Sequence, residues 1–522
     1  MERLKNNIVL FYQSNKKQIV FYLILNLVFV FFITLSSYVH IPLSGVKDRL
    51  MYLIHIILLQ FSISGYIYLV TFNKWLFRFV FIPIFFILSL FSYWVYTQDI
   101  SVTNALIQIV LETKSTIAID LISIPFVIFI MITLSLIILI NRFYNKLFPF
   151  KFNIPFLIIT IISIYSFTLV ESKRVNTLKS RLPYSVFFGL KDYLKKEKYT
   201  FNDIKDGARS NIDSLKIVLV LGETVRADHL QLNGYNRETT PFLSKRKNIV
   251  SFNNIYTPHT YTASSLPTMI TSASVYDKSL DSITSVFDVF NKCNYQTVWF
   301  GNQELERSYA SIVKTNKKVV LVDSLRSYLS FKKAFDEELL KPFRSSFSNG
   351  KNKSLFTLHM MGSHWWYENR YKDAQRKFKP VIDSKHIPSL SKEQMINSYD
   401  NTIVYLDYFL EKLIKTIEQQ DYPTVLIYIS DHGEALGEDG KWLHGQNKRA
   451  CMNPAMVLWF SNRFIKNYPL KVEAIRKNKY SHFTTDILYH SLLDLLEVKK
   501  VDYQLKESVF QNPLNKSIDT IY

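Results

Sequence analysis

The sequence predicts an α-helical membrane domain of five spans followed by an α/β domain with a mainly parallel central sheet. Three observations carry this. Apolar stretches of span length lie almost entirely before residue 171. After it, short β-branched runs alternate with amphipathic helical patterns, the mark of parallel strands joined by helices. Two of those runs end in Gly222-Glu223-Thr224 and Ser430-Asp431-His432-Gly433, so carboxylates and an imidazole fall at strand carboxyl ends, where open α/β sheets hold ligands.

The five spans are Ile19 to Tyr38, Met51 to Phe72, Trp75 to Tyr96, Leu121 to Ile140 and Phe152 to Val170. Each approaches the roughly 20 residues that cross a bilayer. Arg3, Lys5, Lys16, Lys17, Lys74, Arg78, Arg142, Lys146 and Lys151 flank one side, against Lys47, Arg49 and Lys114 on the other. That asymmetry predicts a cytoplasmic amino terminus, and five crossings then put everything after residue 171 outside. The loop 97–120 contains an apolar stretch, Ala105 to Leu111, suited to an interfacial helix. His55 and Gln60 inside the second span are expected to bond to neighbouring helices.

The predicted divisions are 1–171 (membrane domain), 172–213 (bridge at the membrane surface), 214–500 (catalytic domain) and 501–522 (tail). In the bridge, Ser185 to Leu194 reads as a helix with aromatic and basic residues at helical spacing. Strand-like runs recur at Ile217–Leu221, Gln296–Phe300, Val319–Val322, Leu355–Leu358, Val425–Ile429 and Met456–Phe460. The clearest helix covers Glu393 to Ile417 behind a Ser391-x-x-Gln394 capping box. The formal charge of +20 fits nucleic acid or anionic lipid, and the spans in the same chain favour lipid over nucleic acid. Cys293 and Cys451 sit beside apolar runs and read as buried free thiols.

Glu223, Asp431 and His432 offer oxygen and nitrogen ligands suited to zinc, with Gly433 allowing a sharp turn. The Thr260–Met269 segment, rich in hydroxyls, supplies an oxygen for the remaining position, since a hydroxyl needs a base or a metal to become a nucleophile. No Cys-x-Pro-x-Arg or Ser-x-Pro-x-Arg occurs, which disfavours a modified sulfatase-type nucleophile. His364, His444 and Asn302 fall in glycine-punctuated segments as anion-binding candidates, whereas His359 reads as a structural residue.

Gly222-Glu-Thr-Val-Arg-Ala-Asp-His-Leu-Gln-Leu-Asn-Gly-Tyr, Thr262-Ala-Ser-Ser-Leu-Pro, the stretch Tyr399 to Leu410, and Ser430-Asp-His-Gly-Glu-Ala-Leu-Gly-Glu-Asp-Gly with His444-Gly445 resemble the bacterial phosphoethanolamine transferases. These belong to the alkaline phosphatase and sulfatase superfamily and modify lipid A and lipopolysaccharide core. The resemblance implies an inner-membrane, zinc-dependent enzyme with a periplasmic catalytic domain. It implies zinc ligands at Glu223, Asp431 and His432, with Thr262 as both ligand and nucleophile. His364 and His444 resemble the histidines that receive the phosphate or an additional zinc. Phosphatidylethanolamine is the implied donor, and lipopolysaccharide or another envelope glycan the acceptor. Pro258 and Thr268 stand where lipid A-modifying members have cysteines, and Glu306 where they have a lysine, which leans toward core sugars or other glycans. The alternatives are a phosphodiesterase or phosphatase of the same superfamily and a non-catalytic envelope scaffold.

Overall fold

The computed structural model describes residues 2–41, 45–98, 100, 102–112, 119–150, 154–173, 177–194, 199–204, 207–277, 280, 282–303, 305–322 and 335–511. Lys114, Lys151 and the tail beyond residue 511 lie outside the described residues. The chain forms two compact units. One comprises residues 1–111, 122–196 and 386–388, the other 112–121, 197–385 and 389–522.

Among the described residues of the first unit, four helical segments are long and apolar enough to cross a membrane: Asn15–Ser37, Val46–Thr71, Lys74–Gln98 and Ile124–Leu147. The fourth starts and ends later than the apolar run suggests. Ser123 accepts from the Phe126 N–H at 3.4 Å and Pro125 sits in the first turn, so the cap fixes the start. The stretch predicted as a fifth span forms a 20-residue helix, Ile154–Lys173. It packs on the second at Gly65, whose backbone N–H donates to Ser163 Oγ at 2.9 Å. A Cβ on Gly65 would lie 2.8 Å from that oxygen, so only glycine permits the approach, as at many membrane helix crossings.

Gln60 and His55 in the second span are both bonded to neighbouring segments. Gln60 donates to Asn26 Oδ1 at 2.8 Å and accepts from Thr34 Oγ1 at 3.1 Å, and His55 Nδ1 meets the Tyr38 hydroxyl at 2.5 Å. Helices also form over Asn104–Glu112 and Tyr184–Leu194, covering the apolar stretches read as interfacial and bridge helices.

The second unit is built on a seven-stranded sheet: β1 (Leu215–Gly222), β2 (Ile249–Phe252), β3 (Gln296–Gly301), β4 (Lys318–Leu321), β5 (Lys353–His359), β6 (Thr424–Ser430) and β7 (Met456–Phe460). Their spatial order is β2-β7-β6-β1-β5-β3-β4. Five strands, β6 to β4 in that order, run parallel, and β7 and β2 add an antiparallel edge. β1 and β6 are buried along their whole length, which is why both read as unbroken apolar runs. The helix Lys392–Ile417 begins with the Ser391/Gln394 capping box. The chain beyond Lys500 stays part of this unit, since Val509 and Phe510 are buried in its core. Cys293 and Cys451 are buried free thiols.

Candidate active site

The register of the two central strands makes the site. Ser430 at the end of β6 pairs with Gly222 at the end of β1, so the next residues, Asp431 and Glu223, leave the sheet side by side. Their ligand atoms and that of His432 lie within 4.8 Å of one another, and all three side chains are buried. His432 Nε2 stands 3.3 Å from Glu223 Oε1 and 3.3 Å from Asp431 Oδ2.

Hydrogen bonds hold each of these groups in place. His432 Nδ1 bonds to Gly433 O at 2.9 Å, so Nδ1 carries the proton and Nε2 presents a lone pair inward. Asp431 Oδ1 accepts from the Thr224 and His432 backbone N–H groups at 3.1 and 2.8 Å, which leaves Oδ2 for a ligand. Asp431 Oδ2 and His432 Nε2 are both buried and have no hydrogen-bond partner. Two carboxylates and an imidazole so arranged fit a divalent cation of the zinc type, because Asp431 Oδ2 and His432 Nε2 converge beside Glu223 with no hydrogen bond to satisfy them.

The electrostatics agree. Burial alone would raise the Glu223 carboxyl, but the His432 imidazole beside it holds it well below the usual carboxylate range. Burial and the Glu223 charge push Asp431 up to about 6. Burial works against a charged His432, yet Asp431 and Glu223 lift it to about 10. The cluster is short of positive charge, so a cation bound there would displace the second proton that His432 otherwise takes and free its Nε2 lone pair.

Thr262 opens the helix Thr262–Met269 and donates its hydroxyl to Glu223 Oε2 at 2.8 Å. Two other hydroxyls of the segment bond elsewhere: Ser264 Oγ donates to Tyr261 O, and Ser265 Oγ to Asp431 O at 2.6 Å. The His364 and His444 rings are 5.2 Å apart, and His444 is 5.0 Å from His432, so both histidines join the cluster. Burial lowers His364 to about 3, and its Nδ1 bonds to Trp365 O at 2.7 Å, leaving a neutral ring with Nε2 remaining. His359 is buried against Trp299 and Tyr309, a packing role. Asn302 is tied to the loop that carries His364. Its Nδ2 donates to Asp336 Oδ1, and Asp336 accepts from the Met361 and Gly362 N–H groups.

Several contributors escape sequence reading. Thr224 adopts a left-handed φ of 66°, held by its N–H on Asp431, its hydroxyl on Glu223 Oε1 at 2.7 Å, and the Tyr399 hydroxyl on its carbonyl at 2.8 Å. Such strain at a non-glycine residue persists only where surroundings over-determine it. Gly433 is needed for a reason other than a sharp turn. A Cβ there would sit 2.1 Å from Ala450 O. Glu434 is fully buried beside His444, with Oε2 3.6 Å from His444 Nδ1, and burial raises its carboxyl. A buried acid two residues past Asp431-His432 was visible in the sequence, but its pairing with His444 was not.

Residues 216–498 match the family model described as Sulfatase. The chain belongs to the sulfatase family. Phosphoethanolamine transferase EptA of Escherichia coli strain K12 is 34% identical over 305 residues, covering 56% of this chain and 55% of that protein. The chain thus spans about half the length of the curated relatives it matches. The integral membrane lipooligosaccharide phosphoethanolamine transferase A of Neisseria meningitidis shares the fold, with a TM-score of 0.77 over 94% of this chain and 98% of that one at 23% identity. The periplasmic domain of EptC from Escherichia coli, solved in complex with zinc, gives a TM-score of 0.52 at 25% identity, over 61% of this chain and 92% of that one. These relatives carry the name that the four motifs of this sulfatase-family chain imply.

Proposed function

We propose that this protein transfers phosphoethanolamine from phosphatidylethanolamine to a lipopolysaccharide or other envelope glycan through a Thr262-bound intermediate. The observation that carries the reading is the Thr262 hydroxyl on Glu223 at the edge of the Glu223, Asp431 and His432 cluster. The names of the relatives support the reaction class, and the zinc complex of EptC supports the metal. Glu223, Asp431 and His432 would hold zinc, whose positive charge would lower the cost of ionising the Thr262 hydroxyl.

The chain's own residues frame two displacements. Thr262 Oγ forms a bond to the donor phosphorus, the bond from phosphorus to the glycerol oxygen breaks, and diacylglycerol leaves with the threonine proton. An acceptor hydroxyl then bonds to phosphorus, the Thr262 oxygen departs, and the acceptor's proton returns to it. His364 and His444 stand in the same cluster as the threonine's partner, placed to meet the phosphate or an additional zinc. Burial of Thr262 keeps water from competing as acceptor, which favours transfer over hydrolysis.

Placement follows the same reading. The helix Ile154–Lys173 serves as a fifth span, the amino terminus is cytoplasmic, and the catalytic unit is periplasmic in the inner membrane. Mass spectrometry of envelope lipids and glycans from cells with and without the protein tests the whole. An added phosphoethanolamine is expected, a lost diester would indicate a hydrolase, and no difference would indicate a scaffold.

A further inference from the structure

The membrane unit contains a cavity of about 180 Å³ formed by the turn after the first span, the end of the helix Ile82–Gln98 with the chain just past it, and the segment entering the helix Tyr184–Leu194. Its apolar lining comes from Ile41, Val95, Ile100 and Val102, and its polar lining from Arg181, Ser185, His40 and further serines. The guanidinium is held rigidly. Its Nη1 donates to Ser37 O at 2.7 Å and its plane lies over the Tyr38 ring at 5.3 Å. Arg181 Nε is nevertheless buried without a hydrogen-bond partner, and so is Ser185 Oγ, on a side chain only 4% exposed. Among the described residues no carboxylate lies within ion-pair distance of Arg181.

Two buried donors left unsatisfied at one cavity each carry a desolvation cost that a suitable acceptor removes. A guanidinium and a hydroxyl together select an anion with several oxygens, and arginine matches phosphate geometry. The setting narrows the choice further. Ser37 closes one candidate span and Val95 lies near the end of another, where phospholipid phosphates meet the hydrocarbon boundary. The apolar lining suits a glycerol and its first methylenes, and the volume falls below that of an ordinary small-molecule pocket. We infer that this cavity binds the phosphodiester of a membrane phospholipid, with Arg181 Nε and Ser185 Oγ as its donors. The residues lining the cavity belong to the first unit, and those of the Thr262 cluster to the second.

The test is native mass spectrometry of the full-length protein in detergent, titrated with dioleoylphosphatidylglycerol, with dioleoylglycerol, and with inorganic phosphate as competitor. One retained phosphatidylglycerol is expected, with dioleoylglycerol at least tenfold weaker and phosphate competing only at far higher concentration. Arg181→Gln and the cavity-filling Ser185→Leu should each weaken retention at least tenfold. Ser185→Ala, which removes no hydrogen bond within the protein, should weaken it several-fold with an unchanged thermal midpoint, so the test survives if the larger changes fail to fold. Equal retention of dioleoylglycerol, or retention unchanged in both Ser185 variants, would overturn the inference. Phosphate competing at equal concentration would replace it with a free-anion site.

Discussion

Thr262 and Glu223, 39 residues apart in sequence, meet through a 2.8 Å hydrogen bond from the threonine hydroxyl to Glu223 Oε2. Ser264, Ser265 and Thr268 of the same segment donate instead to backbone carbonyls. Incubation with phosphatidylethanolamine but no acceptor should therefore leave one phosphoethanolamine group on the Thr262 peptide. Thr262→Ala should remove it and lower transfer by roughly 10³-fold or more, the scale on which loss of a nucleophile acts. An adduct that persists in Thr262→Ala but vanishes in Thr260→Ala would move the nucleophile.

Metal removal gives a second expectation. Asp431→Asn and His432→Ala should each lose bound zinc and transfer together, because the ligand atoms converge on one point. A chelator should lower the thermal midpoint of the parent and leave that of the Asp431→Asn variant nearly unchanged. Full zinc occupancy in either variant would place the ligands elsewhere.

Two glycines with left-handed φ separate geometry from function. Gly362 (φ 51°) packs so that a Cβ would lie 2.7 Å from Glu223 O and 2.9 Å from its N and Cβ, whereas Gly234 (φ 93°) has open space around it. Alanine at either position carries backbone strain of about 1–3 kcal/mol. Only Gly362→Ala should also depress transfer, by displacing Glu223. Equal activity in the two variants would show that the Glu223 backbone tolerates the shift.

Asp407 provides a pH test away from the cluster. Burial pushes its carboxyl up to about 7, although it accepts from the Phe242 and Leu243 N–H groups at 2.8 and 2.9 Å. The folded value lies above the unfolded one near 4, so the folded state binds more protons between them and stability from this group falls as pH rises through that window. The thermal midpoint of Asp407→Asn relative to the parent should therefore climb between pH 5 and pH 8. A constant difference would mean that the two N–H groups fully compensate the buried charge.

The topology can be read with a reporter active only outside the cytoplasm. Fusion after Leu194 should be active and fusion near Asn145 silent. The opposite pattern would remove the fifth span and the periplasmic placement.

Sequence alone determined the elements whose signal is local. Val425–Ile429 is apolar at every position because β6 is covered on both faces, and Ser391 with Gln394 caps a helix through its own backbone. The ligand types at Glu223, Asp431 and His432 were legible for the same reason, since each directly follows such a strand. The edge strand β2 was not, because four residues with alternating burial carry too little pattern. What only the tertiary structure decided is adjacency. The Ser430 to Gly222 register sets Asp431 beside Glu223, the helix Lys392–Ile417 brings Tyr399 onto the Thr224 carbonyl, and a left-handed Gly362 wraps the His364 loop around Glu223. Strand order and helix docking are set by burial summed over the whole core, so no window of the chain contains them.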